Sequence, residues 1–353
     1  MQQLEPEDGV EIEQLPASGT AVTAPLQDAH GRDQVKVEKF TRRESIICGA
    51  LAGVTSRFFV APLDVIKIRQ QLQSEPRRLR PFTTGVPPPT YRGILHSIYR
   101  IYTTEGLTAL WRGNLPAELL YLLYGAVQFA TLHQTNAVLA TYAPSVSPNV
   151  HHFVSGALAG ALATTATYPL DLLRTRFAAQ GSGPGDKAYG SMMASIPQIY
   201  KTEGMRGFFR GLRPAISQVV PYMGIFFAAY TPAKSAVSYA SMELGIRTFG
   251  FDDALAGMFA GVVSKTGVFP LDVIRKRLQV QGPTRHMYVL KHIPAYPDSI
   301  IGCAVKIVTA EGVLGLYRGL FVSLVKSAPA SAITMWVYEH SVVALRCYDT
   351  FKA

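Results

Sequence analysis

Nearly the same ten residues occur three times in this chain, as PLDVIKIRQQ from Pro62, PLDLLRTRFA from Pro169 and PLDVIRKRLQ from Pro270. The copies are 107 and 101 residues apart. Two further elements recur in the same order around each copy. GALAG, GALAG and GMFAG begin at Gly49, Gly156 and Gly257; EGLTALWRG, EGMRGFFRG and EGVLGLYRG begin at Glu105, Glu203 and Glu311. Three ordered elements in triplicate define a tandem repeat. Its period excludes the common helical solenoids, whose units run to about 33–47 residues. The chain divides into a tail over 1–42 and repeats over 43–147, 148–247 and 248–353.

At 353 residues, two or three soluble domains would be usual. The composition points elsewhere. Charged residues make up 16%, well below an ordinary soluble chain, and mean hydropathy is positive. Asn149 to Leu170 and Leu119 to Ser147 carry no Lys, Arg, Asp or Glu, enough for the roughly 20 apolar residues of a membrane-spanning helix. Ser45–Ser56 and Ala254–Ser264 are each cut short by one basic residue. That pattern suits helices with lipid on one side and a wet interior on the other; the alternative is a buried soluble core.

Each repeat reads as a long apolar helix, a polar loop, a short amphipathic helix, a Glu-Gly turn and a second long helix. The long helices are expected near 44–73, 115–140, 150–180, 214–240, 253–281 and 321–346. The short ones are expected near Ile94–Thr103, Met192–Lys201 and Ile301–Thr309, each ended by a glycine able to take positive φ. The expected fold is an all-α membrane protein, a six-transmembrane-helix bundle with pseudo-threefold symmetry and both termini on one side. The Gly-xxx-Gly elements allow close helix approach.

The net charge of +10 is spread along the chain, so no nucleic-acid partner is expected. The first forty residues are acidic (Glu5, Glu7, Asp8, Glu11, Glu13) and without apolar periodicity, and read as a disordered tail. They resemble neither a secretory signal nor an Arg-rich transit peptide, so any organelle address is expected inside the body. Ser74–Thr90 is a basic, proline-rich loop. Cys48, Cys303 and Cys347 are far apart in apolar contexts, and read as buried thiols without a disulfide or metal role. No Gly-rich phosphate loop, nucleophile elbow or His-Glu-xx-His helix is present, and neither an enzyme nor a resident cofactor is expected.

Counted from the proline, the first copy places Arg57 at −5, Asp64 at +2, Lys67 at +5 and Gln71 at +9; these offsets share one helix face. The third copy gives Lys265, Asp272, Arg275 and Gln279, and the second Thr164, Asp171, Arg174 and Ala178. A central charge facing lipid costs at least about 2.5–3.5 kcal/mol, so the three stripes must face a shared interior. In a threefold arrangement each acid meets the base of the next repeat, giving Asp64–Arg174, Asp171–Arg275 and Asp272–Lys67, with Gln71 and Gln279 placed to brace them. Pro62, Pro169 and Pro270 are expected to kink the helices just before this ring. The ring can be a gate closing one end of a cavity or a set of static struts.

Pro-x-Asp-xx-Lys/Arg-x-Lys/Arg in triplicate, each followed by Glu-Gly and an aromatic-Arg-Gly, resembles the mitochondrial carrier family over about residues 43–346. The resemblance implies a multi-pass protein of the mitochondrial inner membrane with both termini toward the intermembrane space. It makes the ring the matrix gate and the mechanism alternating access. It also implies contact with inner-membrane lipids, with cardiolipin a candidate at the matrix-side helix ends. One cavity needs no second chain, so a monomer is expected.

The family's second gate, aromatic-acid-xx-base, is degenerate here. The slots pair His133 with Lys234, Thr231 with Val342 and Glu339 with Asn136, none an acid–base pair. A weak outer gate is therefore expected, with the empty protein resting closed at the matrix side. Arg57 and Lys265 lie two turns beyond the ring, and Lys326 is the one charge in the middle of the sixth span. Three cations call for a small phosphorylated solute, and a diphosphate suits them. Glu118 reads either as a partner for a cationic group or as a strut. Tyr121, Gln218 and Tyr222 read as packing or as a platform for an aromatic ring. GNLPAELLYLLYGAVQF, YPLDLLRTRFAAQG and VVPYMGIFFAAY carry the resemblance below family level; it implies thiamine pyrophosphate as imported solute and nucleotides as counter-substrates. Charge alone leaves ADP, a deoxynucleotide or coenzyme A open, although the RRRMMM run of ADP/ATP carriers is absent. A proton-leak carrier is a further alternative.

Overall fold

The computed structural model describes residues 42–74, 90–142, 147–183, 187–243, 251–290 and 293–352, with a few side chains at helix ends left out. The expectations for the acidic tail, and for most of the Ser74–Thr90 loop, lie outside these residues. Eleven α-helices carry the chain, and no strand occurs among the described residues: α1 Arg42–Leu72, α2 Ile94–Glu105, α3 Asn114–Tyr142, α4 Pro148–Ala179, α5 Met192–Phe208, α6 Leu212–Ser217, α7 Val219–Glu243, α8 Phe251–Gln279, α9 Ile300–Glu311, α10 Leu320–Val325 and α11 Ser327–Lys352. The three repeats thus supply α1 and α3, α4 and α7, α8 and α11 as long helices. α2, α5 and α9 are the short ones.

The long helices close into a ring. α3 packs along α4, α7 along α8, and α11 returns to α1, where Ser56 Oγ donates to the Ala330 carbonyl at 2.7 Å. Four helical segments are long and apolar enough to cross a membrane: Ile47–Leu72, Leu107–Tyr142, Asp252–Gln279 and Val313–Leu345. α4 and α7 are comparably long, but their Thr, Tyr, Ser and Pro residues dilute the apolar signal. Some of those polar residues line the interior. Large apolar side chains such as Leu51, Phe59, Leu122, Phe129, Leu162, Phe227, Phe259 and Trp336 stand exposed on the outside. So much exposed apolar surface is what lipid covers and a soluble core does not leave.

Pro62, Pro169 and Pro270 each lie inside one continuous helix, where proline removes one intrahelical hydrogen bond. Two other prolines interrupt the even helices. Pro221 and Pro329 stand ten residues after Gly211 and Gly319, and cannot donate to the carbonyls of Ser217 and Val325. The chain breaks between α6 and α7 at Gln218, and between α10 and α11 at Lys326. Repeat 1 has Leu123 at that place, and α3 runs unbroken.

The packed core sits at one end, where the C-terminal halves of α1, α4 and α8 meet the short helices through Ile66, Leu72, Ile101, Leu172, Ile199, Ile274 and Ile307. Gly106, Gly204 and Gly312 end or bend the short helices with φ of 85°, 65° and 81°. Their ψ values lie near 180°, so the turn is the mirror image of an extended strand and not the left-handed helical cap read from the sequence. Only glycine enters that region freely.

Candidate functional site: a central cavity closed by ion pairs

Three proline-centred motifs at one level of a ring bring their charges together. Arg174 Nη2 donates to Asp64 Oδ2 at 2.6 Å, Lys67 Nζ to Asp272 Oδ2 at 2.6 Å, and Arg275 Nη2 lies 2.8 Å from Asp171 Oδ2. Each acid thus meets a base of another repeat. Gln71 Nε2 donates to Asp272 at 3.1 Å, and Gln279 Nε2 donates to Asp171. Ala178 supplies no third amide, as the sequence indicates.

Two bases join the ring that the motif arithmetic left out. Lys276 Nζ reaches Asp171 at 3.0 Å, with Thr175 and Gln279 beside it. Lys326 Nζ pairs with Asp64. The second corrects the picture of three free cavity cations: Lys326 leans out of its helix break onto the ring. Three carboxylates therefore face five bases.

Below the ring lies a second set of contacts that the sequence reading did not assign. The arginines at +7, Arg69, Arg176 and Arg277, are 1%, 0% and 0% exposed. Each forks onto the Glu of its own repeat's Glu-Gly: Arg69 onto Glu105, Arg176 onto Glu203 at 2.6 and 2.9 Å, and Arg277 onto Glu311. Tyr91, Tyr189 and Tyr296 accept from the same guanidiniums. Each arginine also donates across the repeat boundary to carbonyls ending the next long helix. Arg69 bonds Ala178 and Gln180, Arg176 bonds Gln279 and Gln281, and Arg277 bonds Gln71 and Gln73. Those are the orphan carbonyls of helix C-termini. The end beyond the ring is shut.

On the other side of the ring a cavity of about 450 Å³ opens. It runs along α4 from Asp171 to Gly156, about 22 Å at 1.5 Å per residue. Of the expected solute contacts, Tyr121, Gln218, Tyr222, Lys265 and Lys326 line it. Tyr124, Gln128, Thr164 and Thr167 add a neutral, hydrogen-bonding wall on α3 and α4. Lys265 makes no hydrogen bond or ion pair among the described residues. Arg57 and Glu118 are not among the lining residues. Arg57 lies over the Tyr121 ring, and Tyr121 Oη accepts from Arg174 at 3.0 Å. Glu118 accepts from Asn114, one helical turn away on the same face, at 3.4 Å. The three acids in the lining are all held by bases.

At the open end the expected outer pairs do not form. Lys234 Nζ is 2.7 Å from Asp253, joining α7 to α8 in an exposed pair, and does not meet His133. Asp253 was missed because it opens α8, outside the slots compared. His133 and Glu339 are exposed and make no hydrogen bond or ion pair among the described residues. Cys48 and Cys303 are buried free thiols; the Cys347 side chain lies outside those described.

The family model described as "Mitochondrial carrier protein" matches residues 39–143, 145–240 and 248–348. The chain belongs to the mitochondrial carrier family. This carrier is 52% identical over 310 residues to "Mitochondrial thiamine pyrophosphate carrier 1" of Neosartorya fischeri, covering 86% of this chain and 94% of the relative. It is 52% identical over 312 residues to the protein of the same name from Emericella nidulans (88% and 94% covered). With that of Phaeosphaeria nodorum it shares 51% over 327 residues (91% and 98% covered). Membership places this carrier among multi-pass transporters of the mitochondrial inner membrane.

Proposed function

We propose that this carrier imports thiamine pyrophosphate into the mitochondrial matrix, in exchange for a nucleotide, by alternating access through the central cavity. The observation that carries the reading is the division of the cavity walls. Lys265 and Lys326 provide positive charge beside the ring, and Tyr124, Gln128, Gln218 and Tyr222 provide neutral hydrogen-bonding and aromatic surface opposite. A diphosphate takes the lysines. A pyrimidine takes amides and tyrosines, and a positive thiazolium takes a tyrosine face without needing a free carboxylate. The names of the half-identical relatives support the same solute. Arg57, behind Tyr121, acts through that ring, and Glu118 is a strut.

The ring is the matrix gate. Charge pairs at a water-reached cavity end are weaker than apolar packing, so they can part when the solute is bound. The carrier then has its cavity open toward the intermembrane space, where both termini lie. It works as a monomer, with inner-membrane lipid, cardiolipin included, at the matrix-side helix ends.

Uptake of labelled thiamine pyrophosphate into proteoliposomes tests the reading, with half the vesicles preloaded with thiamine pyrophosphate or a nucleotide. Uptake that requires internal solute is expected. Equal uptake into empty vesicles would retain the solute and replace exchange by uniport. Nucleotide exchange without thiamine pyrophosphate uptake would overturn the solute.

A further inference from the structure

Lys326 holds two positions at once in the logic of the site. It lines the cavity, and its ammonium is bound to Asp64, an acid of the ring. Asp64 already has Arg174 at 2.6 Å. The other two even helices place Leu120 and Gln218 at the same distance from their Arg-Gly glycines, and neither can pair with an acid in this way. Lys326 also stands at the break between α10 and α11 that Pro329 imposes. Both Lys326 and Asp64 are 19% exposed at the side chain, so water and a solute can reach the pair.

We propose that Lys326 is shared: it binds Asp64 in the empty carrier and the phosphates of the solute in the loaded one. This inference rests on the anionic-solute reading above. An ammonium has three donors, but an ion that turns toward a diphosphate gives up most of its attraction to a carboxylate on the other side. Loading therefore withdraws one of the two bases from Asp64 and loosens the Asp64–Arg174 pair, which joins α1 to α4. The reverse holds by linkage: whatever Asp64 costs the solute, the solute costs the closed ring. The other two pairs have no cavity-lining partner on an even helix, so the release begins at Asp64.

The test measures binding of thiamine pyrophosphate, and of inorganic pyrophosphate as a bare anion, to the purified full-length carrier in detergent. Thermal unfolding of the empty protein is followed in parallel. K326Q should weaken binding of both anions and lower the unfolding temperature of the empty carrier. D64N should tighten binding by about three- to tenfold, which corresponds to a lysine held by its competitor for about 70–90% of the time. In D64N/K326Q that gain should vanish. A gain that persists in the double variant would assign it to the freed Arg174 and overturn the inference. So would a K326Q carrier in which only binding, or only the empty protein's melting, changes; that result stands even if D64N does not fold. Pyrophosphate binding without thiamine pyrophosphate binding would remove the proposed solute while leaving the shared lysine to be judged on pyrophosphate. Binding of neither would overturn both.

Discussion

At the scale of the residue, the matrix-side end depends on charges that water does not reach. Arg176 and Glu203 are 0% and 1% exposed at their side chains, and the guanidinium bonds both carboxylate oxygens, Tyr189 and two carbonyls of the next repeat. Such a pair adds little over a well-packed apolar pair, but removing one partner strands the other. E203A should cost about 3–5 kcal/mol, seen as a large fall in the unfolding temperature of the purified carrier. R176K should fail to restore it, because a lysine has no planar fork to fill both oxygens and both carbonyls. Cys303, on α9 outside the membrane-spanning helices, makes a second residue-scale case. Burial pushes its thiol up to about 11. Its contribution to stability is intact below the unfolded thiol's pKa, and is lost as pH rises from there toward 11. In the folded carrier Cys303 should therefore resist alkylation at pH 8, as read by peptide mass spectrometry, and react once the protein is unfolded. Rapid labelling of native Cys303 would contradict this burial.

The elements were the most legible level, because a helix announces itself by periodicity and a repeat announces it three times. The long and short helices fall close to the stretches read from the sequence, and so does the acid-to-base order of the ring, since offsets of seven, three and four fix one face. Contacts between unlike helices were not legible. Lys276 points to Asp171 and Lys326 to Asp64 across helices whose relative depth no period encodes. Glu105, Glu203 and Glu311 were read as helix stops because Glu-Gly is a local signal, whereas their bond to the +7 arginine depends on how α2, α5 and α9 fold back. The glycines of Arg-Gly show the same coupling of local and distant demands. Gly211 has φ 81°, and a Cβ there would stand 2.8 Å from Tyr168 Oη and 2.9 Å from the Arg275 carbonyl. G211A combines left-handed backbone with a clash against the gate turn, and should destabilise by about 2 kcal/mol or more. Gly257 lies inside α8 with nothing within 4 Å of an added Cβ, so G257A should be neutral or stabilising by up to about 1 kcal/mol. Thermal unfolding of the two variants side by side separates these outcomes; equal melting would show that the Arg-Gly turn is not under this constraint.

For the whole molecule, the two ends differ in kind. One end is closed by the ring and, behind it, by three buried arginines that tie each repeat to the next. At the other end Lys234–Asp253 is an exposed pair joining adjacent helices, and His133 and Glu339 lie apart from it. An exposed pair of this sort contributes at most about 1 kcal/mol, too little to hold six helices together over a water-filled cavity. The empty carrier should therefore rest with its cavity open at the end where α1 begins and α11 finishes. Gln128 lines the cavity on α3 well above the ring, and a cysteine there reports which side reaches it. In proteoliposomes of known orientation, Q128C should react with a membrane-impermeant thiol reagent added on the side of the chain termini, beyond the background of the parent protein. Reagent confined to the opposite side should react slowly without solute. Adding thiamine pyrophosphate on both sides should raise labelling from that opposite side, because loading lets the ring part and turns the same position toward it. Fast labelling from the ring side of the empty carrier would mean that the ion pairs do not hold the resting state closed.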